Sequence, residues 1–185
     1  MGQKGTATRA RILTATQELV ETGGYFGAGL NRVVAVSGAP RGSLYFHFPD
    51  GKDQLVAESI RQAGQATGAA FEGLAESSTS VAEFAEGVLL HLGDRLEESG
   101  WHKGCPVATV ALEMAGSSDT LQQACSEVYT SWTTALRAQL EGRRDADDLA
   151  VTILALIEGA LLLAKAHRSR EPLDRVTRQL ATLLR

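Results

Sequence analysis

Little in this chain of 185 residues is available for covalent or metal chemistry. Its two cysteines, Cys105 and Cys125, stand far from any CxxC pattern, and no signal-peptide-like segment opens the chain. They read as buried, reduced thiols of a cytosolic protein, not as a disulfide framework. No two of the four histidines, His47, His91, His102 and His167, lie four apart, the spacing that would pair imidazoles on one helix face. No metal site and no cofactor are expected. A thiol enzyme would need Cys105 as nucleophile with His102 or His91 as base, but nothing supplies an orienting group, and Pro106 marks a helix start. The longest apolar run, residues 153–166, is fourteen long and contains Glu158. That falls short of the ~20 apolar residues of a bilayer span, so no membrane association is expected. Prolines number four, and strand-like alternation never persists.

Helical periodicity fills the space these absences leave. Ile12, Ala15, Leu19 and Val20 recur at helical spacing, and Gly23-Gly24 supplies a stop, because glycine takes the left-handed conformation that ends helices. A short second helix fits residues 30–36, closed by Ser37-Gly38. A third begins at Pro40, where a missing N–H costs nothing, and ends near Phe48, because Pro49 biases its predecessor away from helix. Asp50 or Asp53 then caps a long helix towards Leu74. Helices follow over about 81–98, 105–115, 119–141, 146–169 and 172–184. The predicted fold class is all-α, with about nine helices.

The net charge of −4 is unevenly spread. Residues 1–52 hold six Lys/Arg against three Asp/Glu, while the rest hold twelve against nineteen. A locally positive end on an acidic body fits a polyanion-binding head. Helix 30–36, a turn at Gly38 and helix 40–47 form a helix-turn-helix in outline, whose second helix would enter a major groove. Arg41 stands one residue inside that helix, and its planar fork matches the two acceptors on the major-groove edge of guanine. Gly42 costs about 1 kcal/mol relative to alanine inside a helix, a cost that makes sense where a partner approaches the backbone closely. Leu44 and Phe48 are expected in the core. Tyr45 shares the face of Arg41, and its hydroxyl can donate to a phosphate, as can His47 and Lys52.

The segment GLNRVVAVSGAPRGSLYFHFPDGKDQLV, residues 29–56, resembles the DNA-binding segment of the TetR (tetracycline-repressor) family. The turn glycine, the basic-Gly-x-Leu-Tyr run, the His-Phe pair and the lysine opening the next helix carry the resemblance. HKGCPVATVALE, residues 102–113, is similar to the LmrA/YxaF-like branch, associated with multidrug-type repressors. The resemblance implies a helix-turn-helix domain over 1–52 and a ligand-binding and dimerisation bundle over 53–185. It implies a DNA surface of Ala39, Pro40, Arg41, Gly42, Ser43, Tyr45, Phe46, His47 and Lys52, with Arg41, Gly42 and Ser43 facing bases. Two positions depart from the family. Ala28 replaces the usual Thr, losing a helix cap worth about 1 kcal/mol, and Phe46 lacks the hydroxyl common there.

The bundle supports a pocket for a drug-sized molecule, since apolar and aromatic groups cluster with a few polar ones. Phe84, Val88 and His91 share one helix face, Val107, Val110 and Met114 another, and Tyr129 and Trp132 lie on a third helix. Core packing accounts for the same stripes. His91 bonds either a ligand or a neighbouring carbonyl. Glu113 and Glu158 interrupt apolar segments, where a carboxylate meets a cationic ligand, lies on an exposed stripe or pairs with a base such as Lys165 across the interface. Residues 151–166 are apolar nearly all round, and with the last helix they resemble the family's four-helix dimer interface. Its expected residues are Ile153, Leu156, Ile157, Ala160, Leu161, Ala164, Val176 and Leu180. The implied function is a cytoplasmic transcriptional repressor. It would bind a palindromic duplex-DNA operator as a homodimer and leave when a small hydrophobic inducer binds. The alternative, a helical small-molecule carrier without DNA binding, leaves residues 29–52 unexplained.

Overall fold

The computed structural model describes residues 3–184, and all regular structure among them is helical. The helices are α1 (Gln3–Gly27), α2 (Leu30–Ser37), α3 (Arg41–His47), α4 (Lys52–Ser77), α5 (Val81–Glu98), α6 (Pro106–Met114), α7 (Asp119–Gln139), α8 (Ala146–His167) and α9 (Glu171–Leu183). The regular turn of α1 ends at the glycine pair, as expected: Gly24 is non-helical (φ 66°, ψ −167°), and a short further helical stretch follows across that kink to Gly27. That backbone region is essentially open to glycine alone.

Between α2 and α3 the chain turns through Gly38 in the left-handed conformation (φ 61°), whose N–H donates to the Val34 carbonyl at 3.1 Å. Ser37 Oγ accepts the Ala39 N–H at 3.2 Å, so the turn satisfies its own backbone. Pro40 is the N-cap of α3, so the helix starts one residue later than expected, and Phe48 closes it with its N–H on the Leu44 carbonyl. Helix 2 starts from Gly29 without a side-chain cap, and Ala28 is fully buried beside it. Asp53 does not cap α4; it lies in the first turn, with its carboxylate on Tyr25 and Ser118.

The chain divides into two compact units that are not contiguous in sequence. One holds the described residues up to Gly64 together with Pro106–Val128, and the other holds Gln65–Cys105 with Tyr129–Arg185. The boundary expected at residue 52 therefore falls inside the first unit. There, α1 packs on α2, α3 and α6, burying Ile12, Leu13, Leu19, Val20, Val33, Leu44 and Phe48. In the second unit, α5, α8 and α9 pack together around Phe84, Val88, Leu89, Ile153, Ile157, Leu161, Leu173 and Leu180. Helix 5 opens on a capping arrangement: Ser80 Oγ accepts the Glu83 N–H at 3.2 Å, and Glu83 accepts the Thr79 N–H at 2.7 Å.

Helix 8 corrects the expected dimer surface. Ile153, Ile157, Ala160, Leu161, Ala164 and Leu180 are buried in the core of their own unit, and Leu156 and Val176 are half-buried against it. The outward face of α8 instead carries Val151, Leu162 and Leu163, 59%, 62% and 50% exposed. An all-round apolar helix hides its register from sequence, because every phase looks equally hydrophobic. At 22 residues α8 is also, by length and composition, sufficient to cross a bilayer, which the shorter apolar run did not imply. Its inner face is occupied by the core, as in the central helix of a globular domain.

Ile153→Ala removes a side chain that is 1% exposed and should cost about 2–5 kcal/mol of unfolding free energy in denaturant titration. Val151→Ala, on the outward face of the same helix, should leave unfolding of the isolated chain within about 0.5 kcal/mol.

Candidate functional site

Helix 3 has two faces. Leu44 and Phe48 are buried, and they anchor the helix against α1. Arg41, Gly42, Tyr45 and Phe46 are exposed, Phe46 to 74% and Tyr45 to 49%. Nothing lies within 4 Å of where a Gly42 Cβ would sit, so the backbone there is open to a large partner. Pro40 is exposed and Ser43 half-buried, whereas Ala39 is buried under the turn. His47 is not on the open face. It is 8% exposed, and its Nδ1 has no hydrogen-bond partner among the described residues. Arg41 takes part in no ion pair among the described residues, so its guanidinium keeps its donors.

The C-terminal end of α3 is fixed from α1. The Arg9 guanidinium lies over the Phe48 ring, 5.3 Å from its centroid, and pairs with Glu58 of α4. Arg9 is therefore a structural cation, although the charge count set it among the candidates for polyanion binding. Lys52 is half-buried, with Nζ 3.8 Å from the Tyr25 ring centroid. Burial pulls its pKa below the ordinary lysine value, against the pull of Asp53 and Glu113. The Tyr25 hydroxyl donates to Asp53 at 2.6 Å, and burial together with that bond pushes its pKa up to about 12. The other Asp53 oxygen accepts from Ser118 Oγ at 2.6 Å, and Glu113 accepts the Tyr25 backbone N–H at 2.7 Å. Sequence reasoning missed Tyr25 and Ser118. Their partners lie 28 and 65 positions away, beyond any local periodicity.

The expected pocket residues fall in both units. Val107 and Val110 are fully buried in the first, where Met114 is half-buried, so these are core positions. In the second unit Phe84 and Val88 are buried, and His91 is exposed, away from that interior. Phe71, unremarked in the sequence, joins Phe84 and Trp132 with ring centroids 6.4 and 6.3 Å apart, and Tyr129 meets Trp132 at 5.8 Å. Two edge-on contacts and one tilted one, Phe71 with Trp132, form one continuous cluster. Glu158 is half-buried beside the Cys105 thiol; its enclosure raises its pKa, and the hydrogen bond to Cys105 opposes the rise. Cys125 is buried against the Val107 carbonyl, and burial pushes its thiol up, which makes it inert. No group of three or more metal-binding side chains occurs among the described residues.

A seven-residue helix with an open, arginine-bearing face, set behind a glycine turn and braced by α1, defines the class: a helix-turn-helix transcriptional regulator. Comparison with known proteins narrows it. Residues 12–59 match the family described as bacterial regulatory proteins, tetR family, and residues 81–179 match the transcriptional regulator LmrA/YxaF-like C-terminal domain. The HTH-type transcriptional regulator LmrA of Bacillus subtilis is 31% identical over 182 residues, 96% of this chain and 97% of that one. YxaF of the same organism is 29% identical over 182 residues, 96% of this chain and 95% of its own. A crystal structure of a TetR transcriptional regulator from Legionella pneumophila shares the fold, with a TM-score of 0.85 at 20% identity over 100% of this chain and 98% of that one. The chain belongs to the TetR family of transcriptional regulators, in its LmrA/YxaF-like branch.

Glu158 gives a pH signature. A carboxyl whose folded pKa lies above its ordinary value of 4.5 stabilises the fold at low pH and loses that contribution as pH rises through the folded pKa. Glu158→Gln should therefore unfold at a higher temperature than wild type at neutral pH, and the gap should close as the pH falls below 4.5.

Proposed function

We propose that this regulator is a repressor, binding a palindromic duplex operator as a homodimer and releasing it when a small hydrophobic, drug-like molecule binds. The observation that carries the reading is the open face of α3, where Arg41, Gly42 and Tyr45 are exposed together. Arg41 reads guanine from the first position of the helix. Gly42 allows close approach, Tyr45 and Lys52 hold phosphates, and Phe46 packs on the sugar-phosphate wall. His47 serves mainly to seat the helix, since its ring is buried. The resemblance to the tetracycline repressor supports repression, and a repressor of this kind works in the cytoplasm on chromosomal DNA.

The dimer forms through the outward stripe of α8, Val151, Ala155, Leu162, Leu163 and Ala166, together with α9. These residues are exposed and share a face at helical spacing. Gly159 sits within that stripe with nothing near its missing Cβ, which leaves room for a second helix to approach. A two-fold dimer presents two copies of α3 about one DNA turn apart, ~34–36 Å, and so requires a palindromic site. The inducer docks on the aromatic cluster of Phe71, Phe84, Tyr129 and Trp132. It shifts the equilibrium only if it prefers the state that cannot span two half-sites.

The deciding experiment is selection of bound duplexes from a random-sequence library, followed by titration of the winner at several salt concentrations. Recovery of a palindrome with a steep salt dependence supports the reading. Absence of any enrichment would sink it in favour of a bundle that only binds small molecules. On the selected duplex, Arg41→Ala should cost about 1–3 kcal/mol per half-site with an unchanged unfolding midpoint. Leu162→Asp should turn a dimer into a folded monomer in sedimentation velocity and abolish tight operator binding.

A further inference from the structure

The proposed DNA surface does not explain why α6 reaches back onto the end of α1. Glu113 projects from α6 to the kink at Gly24, where its carboxylate occupies the space that a Cβ on residue 24 would need. The φ of +66° favours glycine there, and any Cβ at that position would have to displace the carboxylate from where it lies. The carboxylate accepts the Tyr25 N–H at 2.7 Å. Such a charge-assisted bond is stronger than its neutral counterpart. One residue further into the same network, Lys52 Nζ rests 3.8 Å from the centre of the Tyr25 ring. Burial disfavours its charge there, while Asp53 and Glu113 favour it.

Asp53 is also held at both oxygens, by Tyr25 Oη from α1 and by Ser118 Oγ from the turn before α7, each at 2.6 Å. The residue on whose ring the ammonium rests is therefore held by two carboxylates, at its hydroxyl by Asp53 and at its backbone N–H by Glu113. Asp53 is locked by two donors, and Glu113 is delivered by α6.

From this geometry we infer that Glu113 is a positioning residue for DNA binding. Through the Tyr25 amide and its attraction for the nearby ammonium it holds Lys52, at the start of α4, in place for a phosphate contact. The inference rests on the DNA-binding reading above. Glu113 itself touches no DNA; it acts through Lys52.

A double-mutant cycle tests this on the duplex that wild type selects. Lys52→Ala and Glu113→Ala should each lower affinity about tenfold, and each should reduce the salt slope by about 0.9 for every phosphate that is no longer neutralised. The double variant should bind no worse than Lys52→Ala alone, because Glu113 has nothing left to position. Additive losses, or an unchanged salt slope in Glu113→Ala, overturn the inference. Should Glu113→Ala fail to fold, Glu113→Gln enters the same cycle, since it keeps an acceptor for Tyr25 but removes the negative charge facing Lys52. A DNA-free arm separates this from the function itself. Hydrogen exchange at the Tyr25 amide and across residues 48–56 should rise in Glu113→Ala while residues 146–180 stay unchanged. If wild type selects no duplex, the DNA reading fails, and this exchange pattern alone decides whether Glu113 orders the start of α4; unchanged exchange overturns it.

Discussion

Burial of one face of α1 is the constraint on which the first unit depends. Ile12, Leu13, Ala15, Leu19 and Val20 give α2, α3 and α6 a common surface. Helices of eight and seven residues, as α2 and α3 are, cannot hold themselves together in water, where isolated helices shorter than ~12–15 residues are marginal. Their helicity comes from Val33, Leu44 and Phe48 packing inward. That same packing turns Arg41, Gly42, Tyr45 and Phe46 outward, so the open face of α3 is a by-product of core formation. Change the register of α1 and that open face would go with it.

Electrostatics then divides the cations by task. Arg9 is drawn into an ion pair with Glu58 and onto the Phe48 ring, so it braces the C-terminal end of α3. Lys52 is held against the Tyr25 ring, where Asp53 and Glu113 favour its charge and burial opposes it. Arg41, at the exposed start of α3, keeps its five donors for a partner. A count of charges treats these three alike. Their surroundings do not, because a guanidinium beside a fixed carboxylate has already exchanged its water for a protein partner.

Much of the fold was legible in sequence. The helices of the described residues, the glycine turn at 38, the stop before Pro49 and the capping break before Val81 are all local effects, governed by residues within four positions of one another. The corrections arose where a distant element intervened. Gly24 breaks its helix as expected, but the short helical stretch beyond it is fastened by Glu113, 89 residues further along the chain, which accepts the Tyr25 N–H. His47 points inward because Phe48 and its neighbours demand that rotation of α3. Helix 8 read as apolar on every side, so its buried and outward residues were exchanged. The pocket stripes divided between two units because side chains on separate helices share a face only after the helices pack.

The order of residues was enough to determine the helical class, the helix-turn-helix and the identity of the side chains on its second helix. Those depend on backbone propensity, caps and a short motif, all local in the chain. Packing in three dimensions decided which cations remain available, which face of α8 looks outward and how α6 is fastened to α1. Those depend on desolvation and on contacts between residues tens of positions apart, and neither has a signature in the spacing of a single chain.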